Sequence, residues 1–115
     1  MNQAEVLDFQ VMRESVTSAS NLMKVFANTD RLLLLCKLSQ HELCVSELEE
    51  MLDIRQPTLS QQLTVLRDEG LVATRRDGKR IYYSISSVPA MAVLQVLYQQ
   101  FCLSEKPDSN QNALI

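Results

Sequence analysis

Amide and hydroxyl side chains are concentrated in residues 54–67, IRQPTLSQQLTVLR. Such groups hydrogen-bond to base edges and phosphate oxygens without adding negative charge, and a glutamine can read adenine through two hydrogen bonds. Ser60 is equally suited to a phosphate, and Arg67 has an alternative partner in Asp68. We expect six residues of this stretch to contact DNA: Gln56, Thr58, Ser60, Gln61, Gln62 and Arg67.

A basic cluster follows around the dipeptide Asp77-Gly78. Apolar and polar residues alternate within residues 71–76 and 80–85, and both stretches are rich in β-forming side chains. The Asp-Gly pair between them therefore predicts a hairpin turn. Four cations flank this turn, Arg75, Arg76, Lys79 and Arg80. Charge at a hairpin tip usually serves solvation, but this cluster also suits phosphate or the minor groove. We expect those contacts from Arg76, Lys79 and Arg80.

The charge distribution favours the same region, although the chain as a whole carries −3. Residues 53–83 hold six Lys/Arg and four Asp/Glu, so +6 − 4 = +2, while residues 1–52 hold four against eight, or −4. The positive excess therefore lies on the polar stretch and the hairpin, where a nucleic acid would bind.

Three cysteines, Cys36, Cys44 and Cys102, have no accompanying export signal. The N-terminus lacks the basic start and apolar middle of a secretory peptide, and no apolar run approaches 18 residues, so we expect a cytoplasmic protein without a membrane span. An odd number of thiols in a reducing compartment indicates buried apolar residues, or a reactive pair with one bystander.

Enzymatic chemistry has little support in the sequence. There is one histidine, no Gly-rich phosphate loop, no Ser/His/Asp arrangement and no Cys-x-x-Cys. His41, Cys44 and one carboxylate offer at most three ligands where zinc takes four. We therefore predict neither an enzyme nor a resident metal or cofactor.

Helical periodicity supplies the elements that position these groups. Leu59, Leu63 and Leu66 form one apolar stripe along a predicted helix over residues 54–67. Shorter patterns predict helices over residues 9–26, 29–39 (with Asn28 as N-cap), 46–52 (with a Ser46/Glu49 capping box) and 89–103, with residues 41–45 as a connector.

The last predicted helix carries more apolar surface than one small domain can bury. We therefore expect it to pair with the first helix and with their copies across a two-fold axis, giving a homodimer. Residues 9–104 would form the domain, between a flexible tail at 1–8 and a disordered tail at 105–115. The fold class is mainly α with a β-hairpin wing, a winged helix-turn-helix.

Residues 22–102 resemble the arsenic-repressor family of bacterial regulators. The resemblance rests on NTDRLLLLCKL (28–38), VSELEEMLDIRQPTLSQQLTVLRDEGLV (45–72) and TRRDGKRIYYSI (74–85). It implies a DNA-binding transcriptional regulator on a near-palindromic operator, with half-sites about 10 bp apart.

Metal-sensing branches of that family carry ligands that this chain lacks. Only Cys44 occupies the expected Cys-x-Cys segment, and the last helix has no Asp/His or His/Glu pair. Cys36 and Cys102 are instead placed as in the dithiol subgroup, which implies that they meet in space and are joined, directly or through added sulfur, by a persulfide, polysulfide or oxidant. From the residues alone, buried apolar thiols are the favoured interpretation. The resemblance instead favours a Cys36–Cys102 switch in a repressor that releases operator DNA when a di-, tri- or tetrasulfide forms, with Cys44 as a bystander.

Other functions remain open at this point. They are a metal- or metalloid-responsive repressor, a redox-responsive activator or anti-repressor of virulence genes, and a winged-helix module that binds proteins rather than DNA. Repression and activation are not distinguished by the fold, because either follows from where the operator lies.

Overall fold

Within residues 3–103, a leucine-rich core joins five helices to a small sheet. The computed structural model describes residues 3–103, with side chains from residue 8 onward. The elements in chain order are α1 (Gln3–Phe26), α2 (Thr29–Leu38), β1 (Leu43–Cys44), α3 (Val45–Leu52), α4 (Thr58–Asp68), β2 (Val72–Asp77), β3 (Arg80–Ile85) and α5 (Val88–Phe101). This order confirms a mainly α winged helix-turn-helix. The predicted tail at 105–115 lies outside the described residues.

Two helix starts follow from side-chain caps. The Asn28 side chain accepts a hydrogen bond of 3.0 Å from the Arg31 backbone N–H, so α2 begins as predicted. Ser87 accepts one of 3.1 Å from the Ala90 N–H and opens α5 at Val88, one residue before the predicted start. The helix ends at Phe101, two residues before the predicted end.

The first helix begins at Gln3, so the predicted start at residue 9 is wrong. The segment that precedes residue 9 contains neither glycine nor proline, so nothing in it stops a helix from extending toward the N-terminus. None of the helices in the described part of the chain is long and apolar enough to cross a membrane.

The segment before α3 differs from the prediction in two ways. Leu43 and Cys44 are not a plain connector, since they form β1 and pair antiparallel with Tyr83 and Tyr82 of β3. The predicted Ser46/Glu49 cap is wrong, because the Glu47 carboxylate instead accepts a 3.0 Å hydrogen bond from the Cys44 N–H. That hydrogen bond lowers the pKa of Glu47.

The fourth helix begins at Thr58 rather than at Ile54. Gln56 precedes Pro57, and the proline ring disfavours a helical backbone in the residue before it. The predicted apolar stripe is confirmed, because Leu59, Leu63 and Leu66 are each at most 1% exposed. Beyond the helix end, Gly70 adopts a φ of +78°, the left-handed conformation expected of a glycine there.

The sheet has the strand order β1-β3-β2, with all neighbours antiparallel. The hairpin β2–β3, called the wing below, closes with Asp77 opposite Arg80, and Gly78 has a φ of +64° in the turn. This confirms the predicted hairpin and places its charged tip away from the core.

Candidate DNA-binding interface and dithiol site

The outer face of α4 is polar and exposed, opposite the buried leucines. The Ser60 hydroxyl donates to Oε1 of Gln56, which holds the turn before the helix against its first residues. The Thr64 hydroxyl donates to the Ser60 carbonyl at 2.9 Å. Five of the six predicted DNA contacts on this segment are exposed: Gln56, Thr58, Ser60, Gln61 and Arg67.

Gln62 is placed differently from the other five. It is half-buried at the flank of α4, and its Oε1 accepts a 3.1 Å hydrogen bond from Nη1 of Arg31 on α2. Two-bond reading of adenine needs both the oxygen and the nitrogen of the amide. In this arrangement the oxygen is already engaged, so the side chain links two helices. No local pattern announces the contact, because the two residues are 31 positions apart.

The wing presents three exposed cations near its tip, Arg76, Lys79 and Arg80. Nε of Arg76 donates to the Gly78 carbonyl at 3.2 Å, which orders that side chain beside the turn. The arrangement suits contact with a phosphate backbone, because the charges cluster near the tip of a short exposed hairpin.

Arg75 has a different role from its neighbours. Its Nε and Nη2 donate to the two carboxylate oxygens of Glu42 at 3.0 and 2.8 Å, and its guanidinium lies 4.8 Å from the centroid of the Tyr82 ring. The hydrogen bond from Arg75 lowers the pKa of Glu42. The pair therefore braces the wing against the segment before β1, and its charge is compensated within the protein.

Replacing Arg76 with alanine should reduce the salt dependence of DNA binding. A cation that neutralises a phosphate releases a counterion, so its loss makes the negative slope of log K against log salt shallower by about one. The measurement is fluorescence anisotropy with a labelled duplex, selected from a random-sequence library by the reduced protein, at several salt concentrations.

The matched control removes the neighbouring pair without changing net charge, as Glu42→Gln/Arg75→Gln. Its salt slope should equal that of the wild type, because the two charges compensate each other within the protein. An unchanged slope for Arg76→Ala would show that Arg76 does not contact a phosphate.

The three thiols have distinct surroundings. Cys36 is half-buried on α2, Cys102 is exposed immediately after α5, and Cys44 is buried in β1 with its Sγ 3.3 Å from the Ser46 hydroxyl. Cys36 and Cys102 line one cavity of about 470 Å³, called the dithiol cavity below. The rest of its wall is mainly apolar and includes Leu32, Leu33, Leu94, Leu97, Tyr98 and Phe101.

Two effects raise the pKa of Cys36 above that of an ordinary thiol. The larger is burial, which disfavours the thiolate, and the second is repulsion by the negative charge of Cys102. Both effects favour the thiol form of Cys36 over its thiolate. The folded state correspondingly loses stability as the pH rises through the raised pKa.

The chain was compared with known proteins. Residues 28–74 match the model of the family described as "Bacterial regulatory protein, arsR family". A biofilm growth-associated repressor of Agrobacterium fabrum is 47% identical over 95 residues, which cover 83% of this chain and 81% of the relative. The transcriptional activator HlyU of Vibrio cholerae is 38% identical and covers 84% of this chain and 89% of its own length.

Solved structures agree with the fold. The repressor BigR from Xylella fastidiosa superposes with a TM-score of 0.75 at 42% identity, covering 81% of this chain and 95% of that one. HlyU from Vibrio vulnificus superposes with a TM-score of 0.78 at 37% identity, covering 83% and 99%. These relatives are transcriptional regulators rather than enzymes. The exposed polar helix, the basic wing and these similarities together show that the chain belongs to the arsR family of DNA-binding transcriptional regulators.

Proposed function

We propose that the protein is a cytoplasmic repressor whose affinity for DNA is controlled by a Cys36–Cys102 dithiol switch. One observation carries the proposal: both thiols line the same cavity. A reagent that enters the cavity meets two sulfur nucleophiles, one exposed and one half-buried.

We expect the exposed thiol, Cys102, to react with the donor first. The Cys102 thiolate takes the outer sulfur of a persulfide RS–SH, which gives Cys102–S–SH and releases RS⁻. The Cys36 thiolate then attacks the inner sulfur and expels HS⁻, leaving a Cys36–Cys102 disulfide. The dithiol loses two electrons, and the donor is reduced to RSH and H₂S.

Longer bridges form when both thiols gain sulfur first. The terminal sulfur of one persulfide attacks the inner sulfur of the other, which expels HS⁻ and leaves a trisulfide. When one persulfide first takes a second sulfur from another donor RS–SH and releases RS⁻, the same attack leaves a tetrasulfide. A direct disulfide needs Cα atoms roughly 4.4–6.8 Å apart, whereas added sulfur spans a longer gap. Sulfur donors would therefore be stronger inducers than peroxide wherever the two thiols are too far apart for a direct bond.

A second copy of the chain supplies the partner for α1. Apolar residues Phe9, Met12, Val16 and Met23 are spaced three, four and seven apart along that helix and are 48–60% exposed. Such spacing forms one stripe, the pattern by which two helices pair. On α5, Val96, Tyr98 and Phe101 are 54%, 45% and 65% exposed and would extend the same interface. The dimer would present two copies of α4 to half-sites about 10 bp apart.

The bridge would act on DNA through α2. This helix carries Cys36 and packs against α4, so joining it to the end of α5 changes the position of α4 relative to the dimer helices. Release requires a difference of only about 1–3 kcal/mol between binding-competent and incompetent dimers. On DNA, Gln56, Thr58, Ser60, Gln61 and Arg67 would meet the major groove, and Arg76, Lys79 and Arg80 would lie along the backbone or minor groove.

The experiment maps sulfur bonds in protein treated with a glutathione persulfide donor. Proteolysis followed by mass spectrometry should find the Cys36 peptide joined to the Cys102 peptide by two to four sulfur atoms, in wild type and in Cys44→Ser alike. Independent persulfides at the two thiols with no bridge, or a bridge to Cys44, would contradict the proposal.

A further inference from the structure

One guanidinium, that of Arg31, contacts both α1 and α4. Its Nε donates to the Val25 carbonyl at 2.9 Å and its Nη2 to the Lys24 carbonyl at 3.3 Å, both in the last turn of α1. Its Nη1 donates to Oε1 of Gln62 at 3.1 Å. Within the part of the chain whose side chains are described, the one ion pair is Arg75–Glu42, so Arg31 has no carboxylate partner there.

These contacts are chemically well matched. The last carbonyls of a helix lack partners within the helix and carry partial negative charge, so they attract a cation. The planar guanidinium holds its donors in a fixed fork, which sets the three acceptors at fixed positions relative to one another. A lysine ammonium has the charge but not the fork.

Gln62 is the residue of α4 that accepts a hydrogen bond from the Arg31 guanidinium. Three buried leucines pack beneath α4, and apolar contact of this kind is non-directional. The hydrogen bond at the flank of the helix adds a directional constraint. Its partner is anchored in turn to the end of α1.

We propose that Arg31 is a positioning residue that sets the orientation of α4 relative to α1 through Gln62. In the dimer proposed above, on which this inference rests, α1 pairs with its copy. The orientation of α4 on α1 then fixes the separation of the two copies of α4. Arg31 therefore determines which half-site spacing the protein prefers, although it need not touch DNA.

The test is a double-mutant cycle read against half-site spacing. Duplexes selected by the reduced wild type are resynthesised with the spacer lengthened or shortened by one or two base pairs. Arg31→Lys and Gln62→Met should each lower affinity for the preferred spacer about tenfold, the effect of losing a hydrogen bond to a charged group. Neither should lower affinity for the altered spacers as much, and the double variant should be no weaker than the single ones.

Gln62→Glu provides the rescue, because a carboxylate still accepts from Arg31 and should keep the spacing preference even if overall affinity falls. A merely structural role predicts a lower unfolding temperature and equal losses on every spacer, and that result, or additive effects in the cycle, would overturn the proposal. A wild type without any spacing preference would overturn the proposed dimer as well.

Discussion

Persulfide treatment should lower the DNA affinity of the wild-type protein by about 5- to 150-fold, the range of a coupling free energy of 1–3 kcal/mol. Cys36→Ser and Cys102→Ser should bind DNA as tightly as the reduced wild type and lose nothing on treatment. The reason is that each variant keeps the fold and the polar face of α4 but lacks one end of the bridge. Anisotropy titrations of a selected duplex with reduced and treated protein measure the effect.

Cys44→Ser is the matched control, since it removes a thiol from the same protein at a site in β1. It should respond to the persulfide donor as the wild type does. If Cys36→Ser or Cys102→Ser still released DNA on treatment, a bridge between these two thiols would not be the switch.

Replacing Val16 with glutamate should convert the dimer to a monomer and weaken DNA binding by about 10²- to 10⁴-fold. Val16 lies at the centre of the exposed stripe of α1 and is 60% exposed in the single chain. A charge buried there on pairing loses its hydration without gaining a partner, and a monomer holds only one half-site. Sedimentation velocity gives the mass, and anisotropy gives the affinity.

Ser18→Glu adds the same charge at an exposed position about 160° around the helix from Val16, on the side opposite the stripe. This variant should remain a dimer with nearly the affinity of the wild type. A dimeric Val16→Glu protein would show that the α1 stripe is not the interface.

Local patterns in the sequence were enough to predict the main elements. The leucine period along α4, the Asn28 cap and the Asp77-Gly78 turn each depend on residues a few positions apart. Local chemistry decides such features, so they are readable before the chain is folded. The order of these helices and the hairpin along the chain then predicts a winged helix-turn-helix fold.

Contacts between distant residues could not be predicted in this way. Arg31 meets Gln62 across 31 positions, and Arg75 meets Glu42 across 33. The two-residue strand β1 exists only because β3 offers it an edge. Each depends on how the elements pack, and no period or turn signal encodes it. For the same reason, the sequence did not show that Gln62 is half-buried while Gln56 and Gln61 are exposed.

The thiols illustrate a third case. The spacing of Cys36 and Cys102 carries no information about their separation in space, and the family resemblance alone suggested that they meet. The fold gives this a physical basis, because α2 and the end of α5 enclose a common cavity.

The most direct measurement follows both quantities in one sample. Wild-type protein is titrated with a persulfide donor, and at each step the Cys36–Cys102 bridged fraction is found by mass spectrometry and the DNA-binding fraction by anisotropy. The DNA-binding fraction should fall in proportion as the bridged fraction rises, and both should return to their starting values when a reductant is added. Full bridging with undiminished DNA binding, or loss of binding before any bridge forms, would contradict the dithiol switch.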